Sequence, residues 1–493
     1  MLFNSLEFAL FLPIVFFLYW FVFNRNLRWQ NLLIVVASYI FYGWWDKMFL
    51  LLIAFTTLCS YGSGVLIERL RFTPPHNYYA KWVNISNIII NLAILGVYKY
   101  FNFFSDSLQQ AFGTVGIELS SVTLDLVLPV GISFYTFQAL SYSIDVYNGK
   151  LKATDDIVSF FAYVSFFPQL VAGPIERATN LLPQFEKPRT FDYGKAVDGC
   201  RQMLWGFFKK IVIADTCAGK VNLVFDRWET LPGSTLWIAA ILFTIQIYCD
   251  FSGYSDIAIG TARLFGINLM RNFNFPYFSR DIAEFWRRWH ISLTTWFRDY
   301  IYIPLGGSRG SKAAVLRNTF IIFLVSGLWH GANWTYIAWG LYHALLFVPL
   351  LLLGKNRNNK GVVAEGRLLP SIKELLQMGV TFIFVTIGWV IFRAENIGQA
   401  MGYIGAMFDG SVLSMPVEVF DIRIVTVYSL IIMLLGVEWL QRCREHALSL
   451  NYVKSIIFLR NSKIVRYSLY ATIIFIISLY MWGAPAEFIY FQF

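Results

Sequence analysis

The stretch Ser326-Gly-Leu-Trp-His330-Gly-Ala-Asn-Trp334 lies between two apolar runs, Phe320-Ile-Ile-Phe-Leu-Val325 and Thr335-Tyr-Ile-Ala-Trp-Gly-Leu341. An imidazole at bilayer depth costs free energy wherever its ring nitrogens lack partners. An ionisable residue inside a membrane is therefore a functional-site hypothesis by default. His330 is the first candidate for chemistry, and the runs on either side of it decide the fold class.

Hydrophobic residues make up 57% of the 493, aromatic residues 18% and charged residues only 14%. A soluble domain carries about 25% charged residues. Apolar runs of about 18 or more residues recur along the chain, the pattern of an all-α polytopic protein in a lipid bilayer. No soluble module, repeat or low-complexity tract interrupts them, so residues 1–493 read as one integral-membrane domain. Met1 to Leu12 contains Glu7 and lacks a basic n-region or a small-residue cleavage site, so it reads as a retained first helix. The net charge of +10 would suggest nucleic acid on a soluble protein. Here the basic residues fall in loops between apolar spans, and the positive-inside rule accounts for them without that partner. Cys59, Cys200, Cys217, Cys249 and Cys443 show no metal-ligand spacing, and four lie within or beside apolar segments. Neither a metal site nor a disulfide framework is expected.

Candidate spans are residues 5–23, 31–45, 48–67, 82–103 and 127–147. Loop 24–30 carries Arg25 and Arg28, and loop 68–81 carries Arg69, Arg71 and Lys81, whereas 104–126 has only the acids Asp106, Glu118 and Asp125. This alternation puts the N-terminus outside and the basic loops in the cytoplasm. Segment 157–173 is flanked by basic residues on both sides and ends in Pro168-Gln-Leu-Val-Ala-Gly-Pro174. A re-entrant element fits it better than a full crossing, and irregular backbone at that depth needs protein or a water-filled cavity around it. Segments 197–217 and 235–262 cross out and back, although Lys209-Lys210 make the first a poor lipid-facing helix. The connection 263–317 holds nine Lys or Arg against Asp281, Glu284 and Asp299, which places it in the cytoplasm or at its interface. Residues 318–353 then form a hairpin whose first arm is too short to cross about 30 Å of hydrocarbon before reaching His330. Spans 376–393, 424–441 and 464–482 follow, leaving the C-terminus outside.

Residues 281–300, Asp-Ile-Ala-Glu-Phe-Trp-Arg-Arg-Trp-His290-Ile-Ser-Leu-Thr-Thr-Trp-Phe-Arg-Asp-Tyr300, alternate charges and large aromatics. An amphipathic helix in the cytoplasmic headgroup zone explains Trp286, Trp289 and Trp296 beside Arg287, Arg288 and Arg298. A sharper reading adds a cationic mouth for an anionic, phosphate-bearing donor, with His290 pointing inward. His330 as a structural histidine would donate to a backbone carbonyl between helices. As a base it would take a hydroxyl proton while that oxygen attacks an acyl carbon. Asp250-Phe-Ser-Gly-Tyr-Ser-Asp256 fits either salt-bridged acids at a tight helix contact or a catalytic pair. With Arg287, Arg288, Trp329 and Asn333, these two acids complete the candidate substrate-contacting set. His343, at the lipid end of a Tyr-rich span, reads as structural, and His76 and His446 lie in loops without a signal. No phosphate-cradling loop, HExxH or Gly-x-Ser-x-Gly motif is present, so a serine-hydrolase step in cis has no support.

The motifs resemble those of the membrane-bound O-acyltransferase family, in its alginate O-acetyltransferase branch. The resemblance rests on Leu128-Pro-Val-Gly-Ile-Ser-Phe-Tyr-Thr-Phe137, Phe166-Phe-Pro-Gln-Leu-Val-Ala-Gly-Pro-Ile175 and Asp250 to Asp256. It continues through Phe285-Trp-Arg-Arg-Trp-His-Ile-Ser-Leu293, Arg298-Asp-Tyr-Ile-Tyr-Ile-Pro-Leu-Gly-Gly307, Gly327-Leu-Trp-His-Gly331 and Phe488-Ile-Tyr-Phe-Gln-Phe493. It implies a ring of about 11–12 transmembrane helices with re-entrant and interfacial helices around a central tunnel, in the cell (inner) membrane. It also implies His330 as the family's near-invariant histidine and His290 as the second histidine of the polymer-modifying branch. The implied donor is acetyl-CoA as substrate, with no bound cofactor, and the acceptor an exopolysaccharide hydroxyl reached through an extracytoplasmic SGNH-type partner. The competing readings are D-alanyl transfer to teichoic acid from a carrier-protein thioester, and a transporter or flippase with His330 as a proton relay. Against the last, no corresponding pair of broken helices is visible in two halves of the chain.

Overall fold

Helix boundaries follow from side chains that satisfy the first free backbone N–H groups. Ser5 caps α1 (Leu6–Phe17), and Asn26 accepts from two amides at the start of α2 (Leu27–Gly43). The chain continues through α3 (Met48–Arg71), α4 (Asn77–Leu95), α5 (Phe101–Gly113) and α6 (Ile132–Tyr147). The computed structural model describes residues 1–71, 77–118, 120, 122–171, 173–449, 462–481 and 488, and among these no strand occurs. Among the described residues, seven helices are long and apolar enough to cross a membrane, and two shorter apolar helices, Leu6–Val22 and Ile424–Leu440, accompany them. The protein is a multi-pass, all-α membrane protein.

The chain forms two compact units, residues 1–196 with 261–270, and residues 197–260 with 271–493. In the first, α3, α4 and α6 are joined by buried polar side chains: Ser60 donates to Asn87 at 3.2 Å, and Asn87 to Ser143 at 2.9 Å. Such hydrogen bonds join helices where apolar packing gives little preference over lipid. Segment 157–173 is broken as its sequence suggests. Helix α7 (Ile157–Ser165), capped by Asp156, stops at Phe166, and α8 (Phe167–Leu170) restarts with Pro168 in its first turn. Nine residues span about 14 Å, under half the hydrocarbon thickness. The break is covered by protein: Ser38 accepts from the Phe167 amide at 3.0 Å, and Gln169 donates to the Tyr163 carbonyl at 2.9 Å. Helix α9 (Ala178–Phe185) follows.

The second unit contains most of α10 (Tyr193–Phe207), the π-helical turn Phe208–Ala214, α11 (Asp215–Asp226) and most of α12 (Gly233–Leu264). Short helices α13 (Ile282–Arg288) and α14 (Ile291–Phe297) precede the hairpin of α15 (Lys312–His330) and α16 (Trp334–Leu352). After them come α17 (Ile372–Arg393), α18 (Ile397–Met407), α19 (Ile422–Leu440) and α20 (Lys463–Tyr480). Two glycines bring the hairpin arms together: a Cβ on Gly327 would lie 2.3 Å from the Tyr336 carbonyl oxygen, and one on Gly340 2.4 Å from that of Phe323. Small residues at such crossings let backbones pack closely.

The first arm differs from the sequence expectation. Ser311 caps a helix that begins at Lys312 and runs 19 residues to His330. That arm is long enough to cross, because Lys312 and Arg317 lie inside the helix and not in the preceding loop.

Candidate active site

Residues 281–300 do not form one interfacial helix. Asp281 caps α13 by accepting from the Glu284 amide at 2.7 Å, the chain extends at Trp289, and His290 takes a left-handed conformation (φ 43°, ψ 55°) before α14. A non-glycine residue held there costs about 1–3 kcal/mol and persists only when its surroundings fix it. They do: the Ile291 amide donates to the Asn272 carbonyl (2.8 Å), the Asn274 amide to the Arg288 carbonyl (2.9 Å), and Ser292 Oγ to Asn272 Oδ1 (2.6 Å). The headgroup-belt reading of the tryptophans is corrected by their burial. Trp286, Trp289 and Trp296 are buried inside the protein, Trp286 against Trp339 of α16 and Trp289 against Tyr248 of α12 and Trp389 of α17.

His290 points inward. Its ring meets Phe251 edge-to-face at 4.7 Å and Trp329 at 6.0 Å. Burial pushes its pKa down to about 3, so the imidazole is neutral at physiological pH. Trp329 also touches His330 at 5.0 Å, so one indole joins the two histidines. His330 ends α15 inside near-perpendicular rings, with Trp339 at 5.1 Å and Phe392 at 5.3 Å. It keeps 4% of its surface accessible.

The other candidates support this pair from different places. Asn333 caps α16 by accepting from the Thr335 amide (3.0 Å) and donates to the Glu395 carbonyl (2.8 Å), which fixes the bend after His330. Arg288 is buried against Glu284 (2.9 Å) and the carbonyls of Asn274 (3.2 Å) and Gly361 (3.0 Å), where it holds the His290 turn. Asp250 pairs with Lys210 at 2.7 Å, and Lys210 also with Asp215 at 2.8 Å. Asp256 takes Lys209 at 2.6 Å and Gln202 at 2.7 Å. These pairs flank a close crossing, where a Cβ on Gly253 would lie 2.8 Å from the Gly206 carbonyl oxygen. Lys209 and Lys210 are buried partners that sequence reading saw only as unsuited to lipid.

Arg287 opens onto a cavity of about 940 Å³, together with Arg298, Lys312, Arg357 and Lys360. Its guanidinium donates to the carbonyls of Asn356 (2.8 Å) and Asn359 (2.6 Å). The apolar wall comes from the hairpin residues Ile322, Phe323, Phe347 and Leu351 and from Trp286. Two ring contacts separate it from His330: Trp286 to Trp339 at 5.5 Å, then Trp339 to His330. Phosphate-bearing ligands suit a cationic rim over an apolar interior. The basic residues were visible in sequence as loop charge, but their convergence on one cavity was not.

His343 lies within the protein, wholly buried among aromatic rings, and not at a lipid-facing end. His446 is in a loop yet buried, with Nε2 3.2 Å from Asp198 Oδ2. His76 and the terminal residues 489–493 fall outside the described residues, while the Phe488 ring meets that of Tyr254 at a tilt, 4.1 Å between centroids. No group of three or more His, Cys, Asp or Glu side chains among the described residues is arranged to hold a metal ion.

The sequence model described as MBOAT, membrane-bound O-acyltransferase family, matches residues 151–384, which include both histidines. The probable alginate O-acetylase AlgI of Pseudomonas aeruginosa is 43% identical over 83% of this chain and 75% of its own length. The chain belongs to the membrane-bound O-acyltransferase family. The peptidoglycan O-acetyltransferase of Helicobacter pylori is 34% identical over 83% of this chain and 80% of its own. The teichoic acid D-alanyltransferase of Bacillus subtilis is 30% identical over 55% and 70%. This member of the family is thus a membrane-bound acyltransferase.

Proposed function

We propose that this protein takes an acetyl group from cytoplasmic acetyl-CoA and delivers it across the cell (inner) membrane for O-acetylation of an exopolysaccharide such as alginate. An extracytoplasmic SGNH-type protein completes the transfer, both termini lie on that outer side, and a central tunnel through a ring of helices joins the two faces. The observation that carries this reading is the pairing of His330 and His290 on Trp329, two ring contacts behind a cation-rimmed cavity.

The thioester reaches the site from the cavity, its phosphates among Arg287, Arg298 and Lys312. His330 accepts the proton of the attacking hydroxyl, from sugar or partner serine, as that oxygen bonds to the acyl carbon. The carbon–sulfur bond then breaks, and the leaving thiolate takes the proton back from the imidazolium. Neutral His290 orients the donor or shares the proton transfer.

The test uses membrane vesicles with accessible cytoplasmic faces, labelled acetyl-CoA, and a D-alanyl carrier-protein thioester as competitor. Label from acetyl-CoA should reach polymer or partner in the wild type and not in His330→Ala. Transfer from the carrier thioester instead would support the sister reaction of teichoic acid D-alanylation. Solute movement without covalent transfer would support a flippase.

A further inference from the structure

Behind the cavity wall lies a histidine that this chemistry does not use. His343 on α16 is wholly buried, and neither Nδ1 nor Nε2 has a hydrogen-bond partner. Its neighbours are rings: Trp286 at 5.0 Å, Trp339 at 5.1 Å, Tyr342 at 5.4 Å, and Phe285 and Phe323 nearly parallel at 6.5 Å. On a further side α17 approaches so closely that a Cβ on Gly388 would lie 2.8 Å from Nε2. A phenylalanine would fill such a cage without the free-energy cost of unpaired, buried ring nitrogens. The unpaired indole N–H of Trp286 adds to that cost. A buried polar group without a partner calls for an explanation, and a ligand bound in another state supplies one.

Two of the cage rings identify the direction from which a partner comes. Trp286 and Phe323 line the cavity on one side and touch His343 on the other. Trp339 touches both His343 and His330. A chain of ring contacts from the cavity to His330 thus runs through Trp286 and Trp339, both of which touch His343.

We propose that Trp286 is a gate and that His343 behind it hydrogen-bonds an amide of the pantetheine arm of the donor when that gate stands aside. The proposal rests on the reading of the cavity as the acetyl-CoA site. The arm carries two amides through a passage that is otherwise aromatic, and each must exchange water for a protein partner. A neutral imidazole offers one N–H donor and one nitrogen acceptor, so it meets either end of an amide. The rings pack on the methylenes, and the nucleotide phosphates stay with Arg287 and the other cations of the rim.

The test measures binding to the purified full-length protein of two probes, acetyl-CoA and its armless nucleotide half, phosphoadenosine diphosphate. His343→Phe should weaken acetyl-CoA binding about fivefold to tenfold, the worth of one hydrogen bond, and leave the nucleotide unchanged. His343→Gln, which keeps a donor and an acceptor, should restore most of the affinity. Equal losses on both probes, or none, overturn the role of His343. If the wild type binds neither probe, the donor reading fails and this proposal with it. Should His343→Phe not yield folded protein, Trp286→Ala decides: it should speed association of acetyl-CoA and not of the nucleotide, and an unchanged rate overturns the gate.

Discussion

Asp250 tests whether the acidic motif on α12 holds the fold or does chemistry. Its carboxylate sits 2.7 Å from the ammonium of Lys210, whose side chain is 1% exposed and also faces Asp215 at 2.8 Å. At an effective dielectric constant of about 20, two unit charges this close attract by roughly 6 kcal/mol. Desolvation offsets much of that, yet removing one partner of a buried pair still costs about 3–5 kcal/mol, because a charge is left uncompensated. Asp250→Asn leaves Lys210 with Asp215, which puts the loss near the lower end, about 3 kcal/mol. Lys210→Met leaves two buried carboxylates facing one another, so its loss lies near about 5 kcal/mol. The assay is unfolding in detergent, with acetyl transfer measured per folded molecule. Lys210→Met should be the less stable variant, and the fraction of Asp250→Asn that folds should transfer within a fewfold of the wild type. Asp250→Asn as stable as the wild type but inactive would refute the structural role and put the carboxylate into the reaction.

His330→Ala should insert and fold, with acetyl transfer from labelled acetyl-CoA lowered about 10²–10⁴-fold, the usual range for a lost general base; near-normal transfer rejects the assignment. Arg287→Ala should raise the KM for acetyl-CoA about tenfold at low salt, with the difference shrinking as ionic strength rises and screens the cavity rim. Arg288→Ala should instead lower stability by about 3 kcal/mol, since it leaves Glu284 buried with only Arg280. The folded state holds His290 near 3 against 6.5 for an ordinary histidine. The unfolded chain therefore binds a proton in that window that the folded chain does not, so the contribution of His290 to stability is complete above 6.5 and declines as pH falls toward 3. His290→Gln should flatten this part of the stability profile, and an unaltered slope contradicts the burial argument.

The imidazole in the hairpin was legible because one polar residue between apolar runs stands out in any window. The start of α15 was not, because Lys312 and Arg317 lower the local hydropathy, although Ser311 is the capping residue that marks it. Around His290 the composition pointed the wrong way. Arginines alternating with tryptophans satisfy the rule for a headgroup belt, and only Phe251, Trp389 and other remote partners turn the rings inward. The pairing of Lys209 and Lys210 with acids 40 or more positions later obeys no sequence spacing. It is fixed by Gly206 and Gly253, whose missing side chains let two helices meet.

The motif from Asp250 to Asp256 then has a single physical logic. Its two ends pair with adjacent lysines of the π-helical turn Phe208–Ala214, which locks α12 against that segment. Such π turns cluster at functional sites because they shift side-chain directions within a helix. Here the wider turn sets two consecutive lysines against acids six residues apart. Between those acids, Phe251 presents its ring to His290, and Ser255 accepts from Asn272, the residue that also holds Ile291 and Ser292. The ion pairs therefore reach the site through neighbours such as Phe251 and Asn272, as positioning elements. A variant that loosens them should disturb His290 before His330, and raise the KM for acetyl-CoA before it lowers kcat. If kcat fell first with KM unchanged, the acids would have to act on the reacting groups themselves.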